Sequence, residues 1–332
     1  MCVTKLSRSL NLGYNLKQNI VLWVEEYLFF PTPFQKIISL LLIPLTFIYH
    51  LIIMIKRAKA KSKDFGLPVI SVGNLIVGGS GKTPVVVHLA QNRKYSAVVL
   101  RGYGRASKGL YVISDKGQII EDITVSGDEA MLLALQLPSA TIIVSENREE
   151  GILKAKELNC ELVFLDDGFS KYNIQKFDIL LRPLKEPTNI MCLPSGGYRE
   201  PKMMYTTADL VLQEGIDFKR VVSYKQNQKE IEKLPEKLLL LTAISKANRL
   251  LDFLPQDTKM VAFEDHHTFT KNEIDHVLTQ YSQYNIITTA KDMVKLEKFK
   301  IKDLFLMDLS LDFNSSVNFN SLENYIKSYK TK

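Results

Sequence analysis

The stretch that most constrains the fold is VISVGNLIVGGSGKTPVVVHLA, residues 69–90. An apolar run enters a glycine-rich turn, and GKT leads out of that turn into a helix. Gly78, Gly79 and Gly81 let the backbone curl so that successive N–H groups face one point. Val77 and Ser80 complete the loop. The helix that follows adds a favourable partial charge at its start. The fitting ligand is a nucleoside triphosphate. Lys82 reaches the β- and γ-phosphates and Thr83 offers its hydroxyl to Mg2+. The general pattern G-x-x-x-x-G-K-[ST] asks for glycine at position 76, where this chain has Ile76. The other reading is a glycine-rich turn with a surface lysine.

From Leu67 onward, short apolar runs alternate with helical stretches. Strands are expected at 67–72, 97–100, 141–144, 162–165, 179–181 and 209–213, with helices at 84–90, 128–136 and 146–158. This alternation implies a mostly parallel sheet covered on both faces. A lysine-rich stretch, 217–236, reads as a linker or exposed hairpin. A second alternation follows, with strands at 238–242, 260–263, 285–289 and 304–307. The expected organisation is an N-terminal segment (1–66), a larger domain of P-loop type (67–216) and a smaller α/β domain (237–332). At 332 residues two domains are the default.

Carboxylates fall where phosphate chemistry needs them. Asp166 and Asp167 end the run ELVFLDD and read either as Mg2+ ligands or as carboxylates capping a strand end. Asp128 and Glu129 begin a helix after Ser126, where the helix dipole and capping alone explain them; proton abstraction by Asp128 is the other reading. In FEDHHTFT, adjacent histidines point different ways, so acid–base work or orientation of a carboxylate suits His266 better than metal binding. Arg101, Arg105, Arg148 and Arg199 suit anionic oxygens, or are solvated surface residues.

The N-terminal segment carries nine basic and three acidic residues of a chain whose net charge is +7. The rest is nearly neutral, which argues against a nucleic-acid partner. Ile37–Ile55 has no formal charge. Ser39, Thr46 and His50 share a helical face with Lys36, Arg57 and Lys61. That stripe suggests a helix lying in a membrane surface, with a true span or a buried core helix as alternatives. Lys56, Arg57, Lys59, Lys61 and Lys63 form a basic collar suited to anionic lipid on the cytoplasmic side. Cys2, Cys160 and Cys192 lie too far apart for a zinc motif and point to a reducing compartment.

VGNLIVGGSGKTP, LRGYGR, GDEAMLL, ENREEGI, VFLDDG, LPSGGYREP, DHHTFT and TTAKDMVKL occur in this order. Together they resemble the tetraacyldisaccharide 4'-kinase family, the lipid A 4'-kinases of Gram-negative bacteria. The resemblance implies an ATP- and Mg2+-dependent phosphotransfer to the 4'-hydroxyl of an acylated glucosamine disaccharide 1-phosphate lipid. It also implies peripheral or shallow attachment to the cytoplasmic face of the inner membrane. It makes Asp128 the general base, His266 its support, Lys82 a catalytic cation, and Asp166 and Asp167 the acidic pair near Mg2+. Asn74, Arg101, Arg148 and Arg199 are the candidate substrate contacts. Asp128 falls in the larger expected domain and His266 in the smaller, so their required meeting predicts a cleft that closes on substrate. Where the family often continues DDG with Leu-Gln-His, this chain has Phe169, Ser170 and Lys171. Roles attached to that Gln or His do not carry over. The remaining alternatives are a membrane-associated nucleotide-hydrolysing switch, a non-catalytic lipid- or nucleotide-binding module and a P-loop kinase of another small molecule.

Overall fold

A computed structural model of the chain describes residue 20 and residues 22–78, 81–244 and 247–330. Gly79 and Ser80 of the loop, and Cys2, lie outside the described residues. In chain order the first elements are helices α1 (22–29), α2 (Pro33–Leu41) and α3 (Ile43–Lys59), strand β1 (Val69–Asn74) and helix α4 (Lys82–Ala90). Then come β2 (Ser96–Leu100), β3 (Tyr111–Asp115), β4 (Gln118–Ile119), α5 (Ile123–Ser126), α6 (Asp128–Gln136), β5 (Thr141–Val144), α7 (Arg148–Glu157), β6 (Leu162–Asp166), β7 (Phe177–Arg182) and β8 (Leu210–Gln213). The last part holds β9 (Phe218–Gln226), β10 (Lys229–Ile231), β11 (Leu238–Thr242), β12 (Lys259–Ala262), α8 (Lys271–Gln280), β13 (Asn285–Thr289), α9 (Ala290–Leu296), β14 (Phe305–Phe313) and α10 (Asn320–Lys330).

The chain divides into two compact units that cut across sequence order. The first comprises Met1–Lys82, Asp166–Phe218 and Asn314–Lys332. In it β1, β7 and β8 run parallel, with Ser71 opposite Asp178 and Leu180 opposite Val211. All six residues of β1 are buried, as in a strand covered on both faces. Its core gathers Leu75, Ile76, Phe169, Leu180, Cys192, Tyr198 and Tyr205, with Phe29 and Tyr49 packed against them.

The apolar stretch 37–55 is not one helix. It breaks at Leu42, Pro44 starts the second helix, and the axes of α2 and α3 meet at 57°. Proline lacks the N–H that would continue the ladder and fits the first turn of a new helix. Thr32 and Gln35 form a reciprocal cap at the start of α2. Among the described residues no single helix is long and apolar enough to cross a membrane, although the bent pair passes on length and composition. Ser39, Thr46 and Arg57 of the polar stripe face the protein, while Lys36 and Lys61 at its ends are exposed. Ser39 donates to the Ser195 carbonyl (2.6 Å) and Thr46 to the Ser195 hydroxyl (2.7 Å). Arg57 meets the buried Glu200 at 3.1 Å. The opposite face leaves Phe34, Leu41 and Phe47 exposed by 67%, 74% and 67%.

The second unit comprises Thr83–Leu165 and Lys219–Phe313. In it the strands β4-β3-β5-β2-β6 are neighbours in that order. β2 pairs in parallel with β5 and β6, while β3 runs antiparallel to β5 and β4. Lys116 and Gly117, at φ 48° and 90°, make the tight turn between β3 and β4. A second sheet is six-stranded, β10-β9-β14-β13-β11-β12. Within 217–236 the chain forms the antiparallel pair β9–β10. Leu239 and Leu241 of β11 pack into a core with Phe269, Ile274 and Val277, while Leu238 and Leu240 join Ile287, Phe305 and Met307. β11 is thus buried on both faces by strict alternation.

Candidate active site

The two units carry separate groups of candidate residues. In the first, β1 ends at Asn74 and the chain turns into the glycine-rich loop. Segment 189–199 braces this turn. Val77 N–H donates to the Gly197 carbonyl (2.9 Å), Arg199 N–H donates to the Leu75 carbonyl (2.7 Å), and Ile76 pairs with Tyr198 as an antiparallel bridge. A Cβ on Gly197 would lie 2.5 Å from the Phe29 ring, so SGG is a close-approach sequence. Gly78 and Gly81 have φ of 93° and 78°.

Arg199 organises the charges beside the loop. Its guanidinium donates to both oxygens of Asp167 at 2.9 Å, the two-pronged geometry that arginine suits. It also donates to the Asn74 carbonyl (2.9 Å) and to the Asn74 side-chain oxygen. Lys82 donates to that same Asn74 oxygen at 3.2 Å and lies 3.7 Å from Asp167. Asn74 additionally donates to the Ile76 carbonyl (2.9 Å). Asp166 and Asp167 differ. Asp167 has a left-handed backbone (φ 56°) and faces Arg199 and Lys82, whereas Asp166 is buried at the end of β6. Phe169, where the family pattern breaks, is buried against Gly73.

The second unit holds the acid–base cluster. Gly127, at φ 76°, turns the chain into α6, whose first residue is Asp128. His266 also has a left-handed backbone (φ 62°). Its Nδ1 lies 3.0 Å from both oxygens of Asp128. Both residues belong to this one unit, so their pairing needs no closure between domains. Helix α9 supplies two lysines. Lys291 Nζ lies 3.6 Å from Asp128, 3.8 Å from Glu129, 3.4 Å from Asp265 and 3.5 Å from His266 Nε2. Lys295 lies 3.7 Å from Asp128 and 2.7 Å from Asp292.

Burial alone would lift the Asp128 carboxyl. The His266 hydrogen bond and the Lys291 and Lys295 charges outweigh it and hold the group below its ordinary value. The Asp128 hydrogen bond raises His266 against burial and the Lys291 charge. For Lys291, burial works downward, and the Asp128, Asp265 and Glu129 charges outweigh it upward.

The remaining candidate arginines bond to neighbours of their own. Arg101 is exposed and donates to the Tyr103 hydroxyl at 3.0 Å. Arg148 is buried at the start of α7 and donates to the Ser145 carbonyl at 2.5 Å. Arg105 pairs with Glu146 at 2.6 Å.

A family model described as tetraacyldisaccharide-1-P 4'-kinase, LpxK, matches residues 38–327. The chain belongs to this family. It is 61% identical to the tetraacyldisaccharide 4'-kinase of Aliarcobacter butzleri strain RM4018, over 95% of this chain and all of the relative. It is 43% identical to the Helicobacter acinonychis enzyme of the same name, over 92% of this chain and 96% of the relative. In three dimensions it resembles a crystal structure of an "apo" form of LpxK from Aquifex aeolicus in complex with ATP. The TM-score is 0.70 at 26% identity, over 88% of this chain and 99% of that one.

For a member of the 4'-kinase family, three residues beyond the motif readings stand out. Lys291 and Lys295 come from TTAKDMVKL; their spacing of four on one helix face is visible in sequence, but their approach to Asp128 is not. Gly104, from LRGYGR, has φ 73°, and a Cβ there would lie 3.1 Å from the His266 ring. The paired glycines of RGYG are its sequence signal.

Proposed function

We propose that the chain transfers the γ-phosphoryl group of ATP to the 4'-hydroxyl of a tetraacyldisaccharide 1-phosphate lipid, with Asp128 as the base. The family assignment supports the overall reaction. The observation that carries the mechanism is the Asp128–His266 pair at 3.0 Å, set among lysines. A simple binding module has no need of an oriented carboxylate.

Asp128 accepts the proton of the sugar hydroxyl as its oxygen attacks the γ-phosphorus. His266 orients the carboxylate and stabilises its charge. Lys82 and the glycine-rich loop hold the phosphates, and the lysine offsets charge on the transferring group. Arg199 keeps Asp167 and Asn74 beside Lys82.

The donor chemistry fits Mg2+. Among the described residues no three His, Cys, Asp or Glu side chains gather as a metal site. Mg2+ usually takes one or two carboxylates plus substrate phosphates and water. Asp166 is the better protein ligand, since Asp167 already faces Arg199 and Lys82. Thr83 contributes its hydroxyl by its position after Lys82. Bound there, the ion would screen the phosphate charges.

The outward apolar face of α2 and α3 supports a seat at the cytoplasmic face of the inner membrane. The lipid substrate would be met there.

The test incubates purified protein with labelled ATP, Mg2+ and the disaccharide 1-phosphate lipid in detergent. Label on the lipid is expected, and Asp128→Asn is expected to cut turnover by roughly 10²–10⁴ while ATP binding survives. Hydrolysis of ATP without label on the lipid would favour the switch.

A further inference from the structure

We propose that Lys291 is a positioning residue of this site. Its ammonium gathers Asp128, Glu129 and Asp265 and, set against Nε2 of His266, keeps the imidazole proton on Nδ1, facing Asp128. The inference rests on Asp128 being the base.

The argument is one of donors and acceptors. An ionised carboxylate only accepts, and an ammonium only donates. His266 Nδ1 lies 3.0 Å from both Asp128 oxygens, so Nδ1 carries a proton. Nε2 lies 3.5 Å from Lys291 Nζ, so in the neutral ring it presents its lone pair. The two neighbours select one tautomer. Asp265 competes for the other side, with an oxygen 3.9 Å from Nε2. Unopposed, it would recruit a proton there and favour the imidazolium. Lys291 meets Asp265 at 3.4 Å and offsets that pull.

Lys295 does not duplicate this role. It is held 2.7 Å from Asp292. Asp292 is fully buried and accepts from the Thr242 hydroxyl (2.6 Å), the Ala243 N–H (2.9 Å) and the Thr289 hydroxyl (3.0 Å). Lys295 thus has a fixed carboxylate of its own. The charged groups around the pair are then Glu129, Asp265, Lys291, Lys295 and, behind Lys295, Asp292. Arg105, on the loop beside Gly127, faces Glu146 instead.

The chain has five histidines, so its imidazole nitrogens can be followed by NMR of 15N-histidine-labelled full-length protein, with His266→Gln giving the assignment. In the wild type, above the pH at which the ring becomes neutral, His266 is expected with Nδ1 protonated and Nε2 bare; a neutral ring with its proton on Nε2 would overturn the proposal without any variant. In Lys291→Met the pH at which His266 loses its second proton should rise by about one unit. Turnover at neutral pH should fall about tenfold with KM for ATP unchanged, because the base is misaligned, not the nucleotide. Lys291→Arg should restore the wild-type titration. An unchanged His266 titration in folded Lys291→Met would defeat the role of Lys291 alone. Full turnover in Asp128→Asn would instead defeat the reading of Asp128 as base.

Discussion

Gly104 and His266 are a pair in which one residue has no room to change. Both have left-handed backbones, and the histidine ring lies against the glycine Cα. Gly104→Ala meets two penalties: a left-handed alanine costs about 1–2 kcal/mol, and the added methyl presses on the ring. We expect a modest fall in Tm and a larger fall in kcat, read by calorimetry and by the kinase assay on one preparation. The Asp128 cluster also sets a pH window. Asp128 is depressed in the folded state, so its contribution is full above its unfolded value near ~3.9 and is lost as pH falls through its folded value. His266 is raised, so its contribution is full below about 6.5 and is lost as pH rises through its folded value. The Tm gap between wild type and Asp128→Asn should therefore be widest between roughly pH 4 and 6.5. A gap that is flat with pH would mean the pair contributes no such linkage. These contacts were only partly legible in sequence. The GDE and DHH motifs named Asp128 and His266. Lys291 sits 163 positions beyond Asp128, and no local spacing announces that α9 brings it there.

Elements built from long buried runs were read almost to the residue, among them β5, α6, β11 and β13. A buried run bounded by turn residues has few alternatives. The hairpin β3–β4 was missed because its strands are short and only partly buried. Composition does not change across the bend at Leu42, and Pro44, which interrupts the apolar run, is its mark in sequence. The polar stripe is visible in sequence, but its partners are not: Ser39, Thr46 and Arg57 each bond to segment 195–200. This alters the basic collar, because Arg57 is paired with Glu200 while its side chain stays partly exposed. Neutralising Lys56, Lys59, Lys61 and Lys63 should weaken binding to anionic vesicles by about 1 kcal/mol per lysine near the surface. Sedimentation with vesicles checks this. Thr46→Val, by contrast, should leave vesicle binding alone and lower stability by roughly 1–2 kcal/mol through the lost Ser195 bonds.

At the scale of the whole chain, the surplus charge sits in the N-terminal segment and the remainder is close to neutral. Membrane affinity should thus respond to salt through one patch, falling as the screening length shortens toward about 8 Å at 0.15 M ionic strength. The helix beside that patch has a second aspect. Tyr49 of α3 donates to the Arg199 carbonyl at 2.9 Å, and Arg57 meets Glu200, to which Tyr172 also donates at 2.6 Å. Arg199, which clasps Asp167 beside the phosphate loop, is therefore attached to the helix that turns its apolar side outward. Anyone wanting a detergent-free enzyme for screening should not obtain it by trimming the chain at Lys61. Such a cut would expose Ser195 and strand the Glu200 carboxylate without its guanidinium. The workable route is to keep both helices and replace Phe34, Ile37, Leu40, Leu41 and Phe47 with polar residues, leaving every inward contact in place.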